Sequence, residues 1–577
     1  MMLLSNESAF ASSPQVSFSG AGWGDGVGLS QYGAKAMGAD GVSEEEIISR
    51  YFKNVNVTNL GSVSSDTFLA TDFKPLWIGL IQKSSTVSFF LETGSARLCF
   101  DATEDCFRTI NPGTTYQFAL TGSGECVFMQ KSLNNAFNVL GVPGLCSASV
   151  RPNSPDTQIK IPFKARSYRN GNLRFRKGTS DPVINTVFQT DQETYLKGIF
   201  EIPDSWSTET LKAQAIVSRS RALRSALDRG GEGSLKNEWR ERCYCNILDG
   251  QGDPVFLGWT GEDAHKNWVN AVQETSRKVI SYKNKIALGL HTSSSGGFTE
   301  SYFDVYGVNE HPYMVSVKDS PAFSDLADNP HAYWTAGYSL ASLADSFDFQ
   351  WLSNLEVIER NVSGSAKTIR ITGIVDGFSN EINVSSVDFR SALSLRSTTF
   401  DISLSPIFED VPTGHIFGGE VQGMFDSGIT SGCKEKYFCP NSYLTRAEMA
   451  AFLVRALELQ ISEDNQVFVD DNGHFLEKEI ATLHKNGITQ GCTERNFCPE
   501  QRVTRAEMAA FLVRALKLPS SEPQVSFNDI EGNFFQSEIK SLAASGITQG
   551  CSEETFCPDE LVTRGEMAAF LIRGIYG

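Results

Sequence analysis

The sequence predicts an α+β chain: a mixed domain carrying a β-rich insertion, followed by an all-α triple repeat of helix-turn-helix units. Three observations predict it. Cys433, Cys492 and Cys551 recur at a constant interval of 59 residues, as do Arg446, Arg505 and Arg564. One long amphipathic segment, STETLKAQAIVSRSRALRSAL, stands among strand-like stretches such as NTVFQT, KVISY and TIRITGI. Residues 59–165 alternate polar and apolar side chains and carry Cys99, Cys106, Cys126 and Cys146.

With 577 residues the chain exceeds a single core, and the boundaries predicted are a leader over 1–17, a mixed domain over 18–405 with its insertion at 59–165, and repeats at 406–464, 465–523 and 524–577. The leader reads as the remnant of a signal peptide, because Ala9-Phe10-Ala11 before Ser has the small-x-small form of a cleavage site. A formal charge of −18 argues against nucleic acid as a partner, and no run of apolar residues is long enough for a membrane span.

In the insertion, Cys99, Cys106, Cys126 and Cys146 predict two disulfides with three connectivities open. In the long helix Ser207 is the expected N-cap, with Glu209 in the first turn. Leu211, Ala215, Ala222 and Ala226 form one apolar arc and Ile216, Leu223 and Leu227 another, so the helix should be buried on most sides. Just before it, Glu201 lies between Phe200 and Ile202-Pro203, an apolar setting suited to a general acid.

Each repeat runs FxD, a helix, GITxGC, FCP and a second helix such as LTRAEMAAFLVRALEL. In the first copy Met449, Phe452, Leu453, Ala456 and Leu457 make a buried stripe, and Thr445 with Glu448 makes a capping box. The pairs Cys433/Cys439, Cys492/Cys498 and Cys551/Cys557 predict disulfides in an oxidising compartment.

Near the N-terminus, GAGWGDGVGLSQYGAKAM places Gly20, Gly22, Gly24, Gly26 and Gly28 at every second position. If extended, they face one way and Ala21, Trp23, Asp25, Val27 and Leu29 the other, which permits close approach of a polymer or of another backbone.

Residues 408–577 resemble S-layer homology repeats, in which TRAE segments and nearby loops form grooves for a secondary cell-wall polysaccharide. That resemblance makes Arg446, Arg505 and Arg564 candidates to hold anionic sugar groups, the alternative being that each caps or pairs within its own repeat. The third copy reads TRGE instead of TRAE.

YLKGIFEIPDSWSTETLKAQAIVSRSRAL, CYCNILDGQG, HTSSSGGFTESYFDVYG, HPYMVSVKD and SSVDFRSALSLRSTTFDI, together with the opening glycine motif, resemble the SpoIID/LytB family of sporulation and cell-wall proteins. The resemblance implies a lytic transglycosylase that cleaves peptidoglycan glycan strands between N-acetylmuramic acid and N-acetylglucosamine, giving 1,6-anhydro products, with Glu201 as its acid and base. It implies substrate contacts from Trp23, Asp25, Gln31, Tyr32, Trp206, Ser293, Ser294, Ser295, Gly296 and Gly297. Asp25 stands where the family has His, and an ionised Asp only accepts hydrogen bonds. The LytB side of the family implies a non-catalytic alternative, a glycan-binding enhancer of a cell-wall amidase, and the repeats alone would suit a structural surface-layer protein.

No cofactor is required by this reading. A structural zinc is carried as an expectation on Cys243, Cys245, His265 and His291, since Cys-x-Cys is short for an unstrained disulfide with itself. In the family the glycine motif follows the LRSTTF segment. Its place here predicts a rearrangement in which residues 20–37 lie beside the strand ending near Ile402 and complete the cleft around Glu201.

Overall fold

The computed structural model describes residues 16–63, 68–101, 106–144, 146–179, 182–231, 233–250, 252–463, 467–521 and 527–577. Most of the expected leader lies outside these residues. The chain forms two compact units, one of residues 21–334 with 361–364, the other of residues up to 20, 335–360 and 365–577.

The first unit contains a seven-stranded and a six-stranded sheet. They share one core, in which the rings of Phe89, Phe118, Phe128 and Phe175 pack at centroid distances of 4.4–6.5 Å. The strand-rich stretch predicted at 59–165 is not a body of its own. Its strands Leu76–Ser84, Ala96–Phe100, Cys106–Ile110 and Ser147–Pro152 join Gly171–Lys177, Ile184–Thr190 and Ile247–Leu248 in the larger sheet. The open connectivity resolves to Cys99–Cys106 and Cys126–Cys146.

Helix Thr208–Arg229 divides this sandwich core from a second one. Ser207 Oγ accepts the Thr210 amide at its N-terminus. Leu211, Ala215, Ala222, Leu223 and Ala226 pack on the sandwich. Ala213, Ile216 and Val217 pack against Val27, Leu29, Ile47, Ile48 and Tyr51 of the N-terminal segment. The two arcs read from the sequence thus serve two cores, which is why a helix of weak overall amphipathicity is buried on most sides.

In the second unit Val16–Gly20 runs antiparallel to Phe400–Leu404, with Phe18 opposite Ile402. The expected boundary at 405 is crossed by packing. The hairpin Trp351–Arg360/Ala366–Val375 lies on helix Gly418–Asp426, where a Cβ at Gly419 would meet Ile374 at 2.8 Å and one at Gly423 would meet Trp351 at 2.9 Å. Two glycines on one helix face let the sheet approach this closely.

The repeats close into a ring. The second helix of each, Arg446–Ala456, Arg505–Leu516 and Arg564–Tyr576, begins with a capping box built by Thr445/Glu448, Thr504/Glu507 and Thr563/Glu566. The expectation of purely helical repeats needs correction. Leu444 N donates to Val562 O, Val562 N to Val503 O and Val503 N to Leu444 O, at 2.9–3.0 Å, so three extended segments meet in a triangle of backbone hydrogen bonds. These N–H groups lie outside any helix and must find partners when buried.

The arginines also pair across repeats, not within them. Arg446 reaches Glu507 at 3.3 Å, Arg505 reaches Glu566 at 3.6 Å, and Arg564 returns to Glu448 at 2.6 Å. Each Nε donates to a carbonyl of the next repeat, Phe497, Phe556 and Phe438 respectively, at 2.8–2.9 Å. All three arginines are 4 % exposed, so the guanidinium groups join repeats and are not laid open to solvent. The glycine of TRGE has a local cause, since a Cβ at Gly565 would fall on the Phe417 ring. The FxD aspartates do one job three times: Asp410, Asp470 and Asp529 each accept two consecutive amides, the second from Cys439, Cys498 or Cys557. The disulfides Cys433–Cys439, Cys492–Cys498 and Cys551–Cys557 close the same loops.

Two outcomes follow for this ring. Arg505→Ala should lower stability by ~3 kcal/mol with no polymer present, because it strands a partly buried Glu566 and opens the circuit; an unchanged denaturant midpoint would return the arginine to ligand duty. Asp471 is fully buried, occupies the place of Val411 and Ile530 in the sister repeats, and its oxygens meet no donor from another residue. Burial raises its pKa, so the stability it confers is complete below the ordinary carboxyl pKa and is lost as pH rises through the higher folded value. Asp471→Val should therefore raise the melting temperature at pH 8 more than at pH 4, measured by calorimetry.

Candidate active site

Glu201 sits between helices Gln192–Lys197 and Thr208–Arg229, its side chain 12 % exposed. Three donors converge on one oxygen, Oε2: His291 Nε2 at 3.1 Å, Ser218 Oγ at 3.2 Å and Gln214 Nε2 at 3.3 Å. Oε1 accepts none of them. Gln214 and Ser218 are four residues apart and share a helix face, and Gln214 also donates to Ser218 Oγ at 3.1 Å. Gln31 donates to the Glu201 backbone carbonyl at 3.3 Å and to Gln214 Oε1 at 3.4 Å, tying the glycine motif to the acid.

His291 is held below the usual imidazole pKa, first by burial; Glu201 and Asp25 oppose the shift and Arg221 reinforces it. Its Nδ1 is buried with no hydrogen-bond partner. A neutral ring in this setting carries its proton on Nε2 and donates it to the carboxylate, a tautomer assigned from these contacts.

The glycine strip forms the floor on which His291 rests. It is not the extended strand expected, because the backbone turns at each glycine: Gly24 has φ +122° and Gly28 +82°, a region closed to most side chains. What approaches the bare face is another backbone. A Cβ at Gly22 would meet Gly296 N at 2.6 Å, one at Gly26 would meet Glu300 Cγ at 2.7 Å, and one at Gly28 would overlap Leu290 O. Trp23 and Ser294 exchange backbone hydrogen bonds at 2.9 and 3.1 Å, and Leu29–Ser30 pairs in parallel with His291–Thr292. The predicted neighbourhood of Ile402 is reached by Val16–Gly20, while the strip beyond it packs on residues 290–300.

Alongside the acid, Tyr32 meets Trp206 and His331 edge-on at 5.3 and 5.5 Å, and Trp23 meets His331 at 4.4 Å. Lys35 Nζ lies 5.5 Å from the Tyr32 ring and 5.6 Å from that of Trp206, and these side chains line an open groove with Pro203, Ser205 and Asp328. The predicted serines divide. Ser294 and Ser295 are buried, the first accepting from Asn329 Nδ2 at 3.0 Å and the second donating to Asp319 at 2.7 Å, whereas Ser293 is half-buried. Gly296 lies beneath Gly22, and Gly297 accepts the Asp319 amide through its carbonyl at 2.8 Å.

Comparison with known proteins matches residues 180–282 to the Stage II sporulation protein (SpoIID) model and residues 407–450, 467–509 and 526–568 to the S-layer homology domain. The chain joins a SpoIID domain to three S-layer homology repeats. It is 31% identical over 171 residues to an S-layer protein of Bacillus thuringiensis subsp. finitimus, covering 29% of this chain and 21% of that protein. It is 24% identical over 294 residues to the amidase enhancer of Bacillus subtilis (strain 168), covering 47% and 38%. It is 28% identical over 389 residues to exoglucanase XynX of Acetivibrio thermocellus, covering 64% and 33%. The chain spans about a fifth of the length of the S-layer proteins it matches. The repeats mark a chain anchored at the cell surface, and among the described residues no helix is long and apolar enough to cross a membrane.

The zinc expectation is corrected. In the SpoIID domain Cys243 and Cys245 are bonded to each other, fully buried among Trp77, Val187 and Leu248, and so offer no thiolate. Tyr244 between them takes the left-handed conformation, φ +55°, which folds the short loop back on itself. His265 stacks on Phe200 at 3.6 Å, and His291 serves Glu201. Gln214, Ser218 and Tyr306 were not anticipated as site residues. Polar side chains at i and i+4 on the otherwise apolar inner face of a helix were the available signal for the first two.

Gly28→Ala should destabilise the SpoIID domain by ~2–4 kcal/mol, combining left-handed strain with overpacking against Leu290. The check is chemical denaturation, and a neutral result would refute the close approach.

Proposed function

We propose that the SpoIID domain is a lytic transglycosylase of peptidoglycan glycan strands, and that the S-layer homology repeats hold it on a secondary cell-wall polysaccharide. The observation that carries the reading is Glu201: a single carboxyl with one oxygen bound by three donors and the other left to a groove lined by aromatic rings. An ordinary glycosidase needs a second carboxylate to attack or to activate water. Here Asp25 is already committed, accepting Val27 N at 3.1 Å on one oxygen and the Tyr306 hydroxyl at 2.8 Å on the other.

One carboxyl suffices if the substrate supplies the nucleophile. Protonated Glu201 gives its proton to the glycosidic oxygen as the C1–O bond of the muramic acid residue breaks. The C6 hydroxyl of that residue closes on C1, and the Glu201 carboxylate takes the hydroxyl proton, restoring the acid and consuming no water. The hydrogen bonds to Oε2 stabilise the carboxylate formed midway, and Trp206, Tyr32 and Trp23 offer faces for sugar rings. In the repeats, the inter-repeat arginines shape the grooves in which the wall polymer would lie, with Arg446, Arg505 and Arg564 setting the walls from behind.

A second reading, a glycan-binding partner that enhances a cell-wall amidase, is favoured by the similarity to the amidase enhancer and by Asp25 in place of the family His. Digestion of purified strands, intact and peptide-stripped, separates the two. The wild type should release 1,6-anhydro sugars detectable by mass spectrometry, and Glu201→Gln should lower the rate at least about 100-fold. No such product from the wild type, together with equal stimulation of an added amidase by both proteins, would establish the second reading instead.

A further inference from the structure

We propose that Asp25, clamped by Tyr306, is a positioning residue that keeps one proton shared between His291 and Glu201. The proposal rests on the transglycosylase reading for its catalytic meaning, though not for the contact itself. Thr292 Oγ1 donates to Trp23 O at 3.0 Å and accepts from Gly26 N at 3.3 Å, so the chain straddles Thr292 and carries residue 25 over the His291–Thr292 strand. Both Asp25 oxygens are then fixed, one by Val27 N and one by Tyr306 Oη. Burial and the adjacent Asp25 keep the Tyr306 phenol protonated far into the alkaline range, so it remains a donor.

Three charged groups act on the His291 ring from three elements: Glu201 from the loop before the long helix, Arg221 from the helix, and Asp25 from the glycine strip. Arg221 and burial oppose a charged imidazole; Asp25 and Glu201 favour it. A histidine at position 25, as the family has, would bring no negative charge at neutral pH. In this chain the aspartate offsets Arg221, so the imidazole can take a proton from Glu201 or return one without either side chain losing its partner. The proton moves between His291 Nε2 and Glu201 Oε2 along the 3.1 Å contact, and the pair holds one in both arrangements.

The test uses the full chain with labelled histidine, following the His291 ring signals through a pH titration in the wild type and in Asp25→Asn. The substitution keeps an oxygen for Val27 N and removes the charge. The His291 midpoint should fall by about one unit. In the strand-digestion assay both limbs of the pH–rate profile should move to lower pH by a similar amount, with KM unchanged. Tyr306→Phe keeps the charge but frees the carboxylate, so it should lower kcat several-fold while leaving the His291 midpoint near that of the wild type. An unmoved midpoint in a folded Asp25→Asn protein overturns the proposal, as does a moved midpoint with an unmoved profile. If the wild type releases no 1,6-anhydro product, the transglycosylase reading fails by itself, while the titration still decides whether Asp25 governs His291.

Discussion

The site depends on one close approach: the backbone of residues 22–28 lies directly against that of residues 290–300, with glycine at each point of contact. A methyl group at any of Gly22, Gly24, Gly26 or Gly28 would push the two segments apart. That approach seats His291 under the strip, brings Gln31 to the Glu201 carbonyl and holds Trp23 and Tyr32 at the groove. The long helix supplies the opposite support, because the same turn that buries Ala215 in the sandwich core points Gln214 and Ser218 at the acid. Catalytic geometry is thus set by main chain packed against main chain, which has no rotamers to relax.

The four letters of TRAE each have a physical task in the repeats. Threonine caps its helix, arginine reaches into the next repeat, the small third residue leaves room for a ring or chain from the preceding helix, and glutamate divides its two oxygens between the cap and an incoming arginine. When Phe417 presses on the third copy, alanine gives way to glycine and the other three letters persist.

Local rules made much of this legible. The constant interval of 59 residues, the capping boxes, the Ser207 cap and the two arcs of the long helix all depend on neighbours in sequence, and the structure carries each of them. What stayed hidden depends on pairings at long range. Period-two glycines suggest a strand, yet left-handed turns at those same glycines yield a ladder of isolated contacts. The arginines carry a charge that any partner could meet, and only closure of the ring selects a glutamate of the following repeat. Cys243 and Cys245 looked too close to bond because the spacing rule omits Tyr244, whose left-handed backbone brings them together.

Closure also distinguishes this array from an open solenoid. A stack of repeats can lengthen by one unit and needs special end units to cover its exposed faces. Here the last repeat hands its arginine back to the first, so the array has no ends to cover. Its copy number is fixed by geometry: a fourth unit would have no gap to enter, and a pair would leave two broken faces. Evolution can vary the sequence of each copy, but it can count only to three.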